Sequence, residues 1–191
     1  MILLKQYSQI FSGFSFRNQL KNNEKGKFGV LTAKDIDLIS GTIDHGGIGT
    51  APEFNGPPKY FLKNGDIILN ARGGNPRAFI FEREESKPLV IVSGAFIVIR
   101  TMEEFLNAGY LAWFINLPES QEALRKLHTG TTVMNLPIAA LHDFMIQIPA
   151  KNIQRSIGNL YLQNINKIQL TKLRDELHTQ LLNENLKSLL K

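Results

Sequence analysis

The sequence has 191 residues, which is enough for one domain of ordinary size and an extended C-terminal segment. Hydrophobic residues make up 43% of it and charged residues 20%, as in a folded globular protein. There is no cysteine, which excludes disulfides, thiolate zinc sites and cysteine nucleophiles and fits a cytoplasmic protein. The apolar start of residues 1–10 is interrupted by Lys5 and Gln6, so we expect neither a signal peptide nor a membrane span.

The net charge of +5 is unevenly distributed along the chain. Residues 1–30 hold five Lys and Arg against one Glu, a balance of +4, and residues 151–191 hold seven basic against three acidic residues, again +4. Residues 101–150 hold two against five, a balance of −3. Basic segments on either side of an acidic one favour a positive face turned towards a polyanion, although charge alone does not identify nucleic acid.

Short apolar runs between turn residues predict strands in the first hundred residues. The predicted strands cover residues 13–17, 29–32, 67–69, 78–82 and 89–100, the last interrupted at Ser93-Gly94. Two glycine-rich loops, residues 40–58 and 71–77, separate them. Loops of this kind in a compact domain are often functional, so both are candidate binding loops.

Helical spacing begins at Met102 and continues through Phe114, and a second helix is predicted over residues 120–127 with Ser120 as its N-cap. A helical turn over 137–141 and a strand over 144–148 follow. The predicted fold class is α+β: a curled, mostly antiparallel sheet with a few helices, followed by a long C-terminal helix of coiled-coil type.

That last helix is predicted from residues 159–191, which contain neither proline nor glycine and would span about 50 Å. Its apolar residues fall on two faces. One face, containing Ile153, Ile157, Leu160, Tyr161, Ile165 and Ile168, is predicted to pack on the domain. The other, Leu170, Leu173, Leu177 and Leu181, is predicted to pack on a second helix from another chain. The alternative is a helix that wraps entirely onto its own domain.

Several short motifs follow one another in an order that is typical of a known protein family. The motifs are Gly13-Phe14-Ser15-Phe16-Arg17, Val30-Leu31-Thr32-Ala33-Lys34-Asp35-Ile36, Leu62-Lys63-Asn64-Gly65-Asp66-Ile67-Ile68-Leu69 with Arg72-Gly73-Gly74, Tyr110-Leu111-Ala112-Trp113-Phe114-Ile115, the Gly130-Thr131 turn, residues 141–149 and Gln154. In this order the chain resembles the DNA-specificity subunits of type I restriction–modification systems over nearly its whole length. It departs from them at residues 149–154, where the family tends to have a double proline before the glutamine.

The resemblance implies a target-recognition domain over residues 1–150 and a spacer and dimerisation helix over residues 151–191. Family subunits usually carry two such units, so this chain resembles a half-length form. The implied function is noncatalytic recognition of double-stranded DNA. The implied partners are a DNA-methyltransferase subunit, a restriction and translocase subunit, and a second copy that pairs through the C-terminal helix.

Recognition of DNA requires cations near phosphates and hydrogen-bonding side chains near base edges. Arg72, Asn75 and Arg77 lie on the second glycine-rich loop, where Arg suits guanine and Asn suits adenine. The candidate phosphate contacts are Arg17, Lys21, Lys25, Lys27 and Lys34, and the remaining candidates are His45 and Thr131. For each lysine the alternative is an ordinary solvated charge, and for His45 a plain turn.

The sequence also offers residues for two other classes of function. Asp66 with Glu85-Ser86-Lys87 has the residue types of a magnesium nuclease, but Lys87 precedes Pro88 in a charged turn. There is no phosphate loop, and the four histidines lack metal-ligand spacing, so neither cofactor nor metal is expected. The remaining alternative is a scaffold protein that dimerises through the helix and binds no DNA.

Overall fold

The computed structural model describes residues 1–16, 26–37, 41–46, 48–51, 54–72, 74, 76–83, 85, 87–130 and 135–190. Its strands are β1 (Ile2–Leu3), β2 (Ser8–Ser12), β3 (Phe28–Leu31), β4 (Ile36–Asp37), β5 (Thr42–Ile43), β6 (Gly49–Ala51), β7 (Ile67–Asn70), β8 (Ala78–Ile80), β9 (Leu89–Val92), β10 (Phe96–Thr101) and β11 (Met145–Ile146). Its helices are α1 (Ala108–Ile115), α2 (Pro118–Lys126), α3 (Ile138–His142) and α4 (Lys151–Ser188). The predicted α+β class, with mostly antiparallel sheets and a long C-terminal helix, is confirmed.

Among the described residues, two larger sheets form most of the domain. The larger has the order β2-β10-β7-β8 and is antiparallel throughout. The smaller has the order β6-β3-β9, in which β3 pairs antiparallel with β6 and parallel with β9. Two single β-bridges extend the pairing around β9: Phe14, after β2, pairs with Ser93, and Phe61 pairs with Ile91. The pairs β1–β11 and β4–β5 complete the pairing, and the first of them ties the N-terminus to the segment before α4.

Strands β7 and β10 are continuous apolar runs because both of their faces are buried. In β7, Ile67 and Leu69 belong to the core cluster that includes α1, whereas Ile68 belongs to the cluster between the sheets. In β10, Ile99 belongs to the first of these clusters and Val98 to the second. Successive side chains of a strand point to opposite faces, so an apolar run without alternation marks a strand buried on both sides.

Helices α1 and α4 cross with their backbones in contact. A Cβ atom added to Gly109 would lie 2.9 Å from the Cα of Gly158, and one added to Gly158 would lie 2.3 Å from Asn107 Oδ1. The buried Gln154 reinforces the crossing, because its Oε1 accepts from the Asn107 amide at 2.9 Å and its Nε2 donates to the Phe105 carbonyl at 3.2 Å. The start of α4 is therefore fixed to the domain formed by the preceding residues.

Beyond the ion pair between Lys172 and Asp37, α4 projects from the domain. The helix has 38 residues, and every side chain from 171 to 190 is exposed. Of its predicted domain-facing residues, Ile157 and Tyr161 pack against the core, whereas Ile153 and Leu160 are exposed. No helix within the described residues has the length and hydropathy that crossing a bilayer requires. The division of the chain at residue 150 stays a prediction.

The starts of α1 and α2 differ from the prediction. Helix α1 begins at Ala108 instead of Met102, because Asn107 caps it by accepting from the Tyr110 amide at 3.0 Å. Helix α2 begins at Pro118, where the fixed φ of proline suits the first turn, and Ser120 is a buried residue inside the helix instead of its cap.

Candidate nucleic-acid interface

Arg72 follows β7 and lies beside a loop that is remote in sequence. Its backbone forms an antiparallel bridge with Asn135, and the Leu136 amide donates to the Ala71 carbonyl at 2.9 Å. Asn135 also exchanges backbone hydrogen bonds with Thr129, at 2.9 and 3.0 Å. Together with the end of α2, these segments form one edge of the domain. We call it the Arg72 edge, and it comprises residues 71–72, 125–130 and 135–136.

Two buried or partly buried amide side chains hold the base of the loop that follows Arg72. Gln121 Nε2 donates to the Pro76 carbonyl at 3.0 Å and to the Ile115 carbonyl at 2.8 Å. Asn116 pairs with the backbone of Ala78, accepting from its amide at 2.9 Å and donating to its carbonyl at 2.8 Å. Hydrogen bonds of this kind hold a binding loop in place before a ligand arrives, which lowers the entropic cost of binding.

The Arg72 edge is positively charged and open to solvent. Arg72 is exposed, and so are Arg125 and Lys126 in the last turn of α2, which leads into Gly130 at a φ of 98°. Lys126 pairs with Glu122 at 2.9 Å, and this contact lowers the pKa of the Glu122 carboxyl. Guanidinium and ammonium groups on an exposed edge are the side chains that contact phosphates and guanine.

Arg77 lies elsewhere, although it shares the loop of Arg72 in sequence. Its guanidinium covers Gly41, where an added Cβ would lie 3.1 Å from Nη2, and Gly41 has a φ of 75°. Arg77 is half-buried and close enough to Tyr161 of α4 for its charge to oppose the rise in the Tyr161 pKa that burial causes. Asn116 Nδ2 donates to the Tyr161 hydroxyl at 2.7 Å. Arg77 is thus placed at the junction between the domain and α4.

The other described candidates do not join the Arg72 edge either. The His45 ring lies 5.9 Å from that of Phe81 and lines a cleft against α4. Lys27 and Lys34 are exposed at opposite ends of β3. The candidates Arg17, Lys21, Lys25, Asn75 and Thr131 lie outside the described residues.

Sequence reasoning missed Arg125 and Lys126 as members of this edge. Both are visible as a basic pair just before the Gly130 turn, yet nothing in the sequence shows that this turn pairs with Arg72. It also missed a cluster of half-buried aromatic rings. Phe14 contacts Phe54 at 5.0 Å and Tyr60 at 5.2 Å between ring centroids, next to Lys59. The cluster adjoins β3, because the Phe61 ring contacts both Phe54 and Phe28.

Asp66, the first carboxylate of the nuclease alternative, is already occupied by protein groups. Its two oxygens accept from Arg100 at 2.7 and 2.6 Å, and one also accepts from the Lys63 amide at 2.8 Å. The side chain is 1% exposed. Within the described residues there is no group of three or more His, Asp or Glu side chains that could hold a metal ion.

The structure is thus an α+β domain with an exposed basic edge, followed by a long C-terminal helix. The chain belongs to the family of the type I restriction modification DNA specificity domain, whose model matches residues 4–183. The comparison with curated proteins finds no match.

Three solved structures share the fold. The type I restriction–modification S subunit from M. genitalium superposes with a TM-score of 0.54 at 18% identity, over 83% of this chain and 37% of that one. The HsdS subunit from Thermoanaerobacter tengcongensis gives 0.59 at 15% identity, over 91% and 39%. A third structure, from work on the complex assembly and conformational transition of the type I R-M system, gives a TM-score of 0.61 at 16% identity, over 97% of this chain and 42% of that one. The chain spans about two fifths of the length of these proteins.

Proposed function

We propose that this chain recognises one half-site of double-stranded DNA for a type I restriction–modification complex and catalyses no reaction itself. The Arg72 edge carries the proposal, because it combines an exposed arginine, two further cations and a base held by Gln121 and Asn116. The methyltransferase subunit and the restriction and translocase subunit are the proposed protein partners, and the chemistry is theirs. The family membership supports this assignment.

The experiment that tests it is a selection from duplexes with a random central sequence. The purified chain is expected to enrich one short motif over several rounds, because base-edge contacts favour one sequence by about 1–3 kcal/mol per base pair. Recovery of random sequence after every round contradicts sequence recognition. Complete lack of retained DNA favours the scaffold alternative.

We further propose that α4 pairs with α4 of a second copy. Leu170, Leu173, Leu177 and Leu181 are each more than half exposed and lie on the side of α4 away from the domain. An antiparallel pair that places Leu170 opposite Leu181 also sets Leu173 beside Leu177. The same register places Lys167 opposite Glu184, which are both exposed and of opposite charge. A twofold pair of this kind would read half-sites in inverted orientation.

The first mutational prediction concerns Arg72. Arg72→Ala is expected to weaken binding of the selected duplex by about 1–3 kcal/mol, or about 5–150-fold, and to weaken random duplex less. Fluorescence anisotropy with both duplexes measures this difference. Arg155→Ala, an exposed arginine on α4, is the matched control and should change neither affinity. An equal loss on both duplexes would reduce Arg72 to a phosphate contact, and no loss would remove the Arg72 edge from the interface.

A further inference from the structure

The recognition domain touches α4 at two places that are far apart along the helix. The proximal attachment is the crossing at Gln154, Gly158 and Tyr161 described above. The distal attachment is an ion pair, in which Lys172 Nζ lies 2.7 Å from Asp37 Oδ2 of β4. The 18 residues from Gln154 to Lys172 correspond to about 27 Å of helix.

Between the two attachments the helix stands off from the domain. A cleft of about 440 Å³ separates them. The domain side of the cleft includes Ile43, His45 and Phe79, and the helix side includes Ile165 and Gln169. Because the surfaces are not closely packed there, the angle between domain and helix depends on the attachments at either end.

The distal attachment is electrostatically favourable. The hydrogen bond to Asp37 and the charge of Asp37 raise the pKa of Lys172, and the charges of Glu176 and Asp44 add to this effect. Asp37 is only 27% exposed, so its carboxylate is held against the domain while Lys172 approaches from the helix.

Asp37 also connects the helix to the loop that follows Arg72. The Gly41 amide donates to the Asp37 carbonyl at 2.9 Å, and Gly41 lies directly under the guanidinium of Arg77. A continuous series of contacts thus runs from Lys172 through Asp37 and Gly41 to Arg77.

We propose that the Asp37–Lys172 ion pair is a positioning contact that sets the angle between the recognition domain and α4, and thereby the preferred gap between two half-sites. This proposal rests on the function proposed above. A tilt of about 10° about the proximal attachment would move the domain by about 5 Å at Lys172, which exceeds the rise of about 3.4 Å per base pair. A partly exposed ion pair adds little to folding stability, so its loss should change geometry without unfolding the domain.

The first experiment measures the angle without DNA. The chain has no cysteine, so Ala123→Cys in α2 and Asn185→Cys in α4 give two unique spin-label positions. Pulsed electron paramagnetic resonance, with an excess of unlabelled chain to suppress distances between copies, reports their separation. Asp37→Lys and Lys172→Asp are each expected to shift or broaden the distance distribution, and the double variant with both charges exchanged is expected to restore it.

The matched control is Lys5→Asp, which breaks an ion pair of 2.8 Å to Asp143 inside the domain and should leave the distribution unchanged. Unchanged distances in both single variants overturn the proposal. A shift that the charge exchange fails to reverse also overturns it, because the effect would then not belong to the ion pair.

The second experiment uses duplexes in which the gap between inverted half-sites changes one base pair at a time. The preference is the ratio of the affinity for the best gap to the affinity for gaps one base pair longer or shorter. Each single variant is expected to lower this ratio by about two- to fivefold, and the charge exchange is expected to restore it. Altered distances with an unaltered gap preference overturn the link to spacing. If the wild-type chain binds no duplex, the proposed function fails, while the distance measurement still decides whether Asp37–Lys172 sets the angle.

Discussion

We expect Arg100→Met to lower the free energy of unfolding by about 3–5 kcal/mol, which is the cost of removing one partner from a buried ion pair. Arg100 donates to both oxygens of Asp66 and, at 3.1 Å, to the Phe61 carbonyl. Its side chain is 17% exposed, and that of Asp66 is 1% exposed. Removal of the guanidinium leaves a buried carboxylate and a carbonyl without these donors. Urea denaturation followed by circular dichroism measures the loss.

Two further variants separate the ion pair from general effects of the substitution. Arg125→Met, at an exposed position of α2, should change stability by less than about 0.5 kcal/mol. Asp66→Asn combined with Arg100→Met should lose less than the sum of the two single variants, because no buried charge remains unpaired. A loss below about 1 kcal/mol in Arg100→Met would mean that water replaces the guanidinium at Asp66.

The second large effect is expected in assembly. Leu173→Glu combined with Leu177→Glu should convert a dimer at tens of micromolar into a monomer, raising the dissociation constant by at least about 100-fold. Four carboxylates would otherwise be buried in one helix pair, and each tenfold change corresponds to about 1.4 kcal/mol. Sedimentation equilibrium measures the change.

Leu182→Glu combined with Leu186→Glu is the matched control for that experiment. Both residues are about half exposed, on the same helix, but on a different side of it from Leu173 and Leu177. This control should remain dimeric. A wild-type chain that is monomeric at tens of micromolar contradicts self-pairing. Loss of the β-sheet signal in the first double variant would show that the row of leucines packs on the domain.

Elements with a strong local signal were predictable from the sequence. The apolar runs of β7, β9 and β10 and the long helix without proline are apparent because their hydrophobic patterns reflect burial directly. The start of α4 was less apparent. Gly158 predicts a helix end, yet it lies inside α4. A glycine is needed there because Gly109 approaches it too closely for a side chain. A close approach between two backbones leaves no local signal in either segment.

The candidate site was harder to predict because it is built from segments that are distant in sequence. From the sequence, Arg72 and Arg77 are both expected on one binding loop. In the structure, Arg72 pairs with Asn135, whereas Arg77 covers Gly41. Gln121 and Asn116, from another part of the chain, bind the backbone of Pro76 and Ala78 on either side of Arg77. Only tertiary structure determines which side of the domain each arginine faces.

The most direct test of DNA recognition is the affinity of the purified chain for the selected duplex and for random duplex at about 50 and 200 mM salt. If cations of the Arg72 edge contact phosphates, the affinity for random duplex should fall by at least about tenfold over this range, as two or three phosphate contacts imply. The selected duplex should remain the tighter ligand at both concentrations, because base contacts do not depend on counterion release. Binding that is absent, or equal for both duplexes and insensitive to salt, would contradict recognition of DNA by this chain.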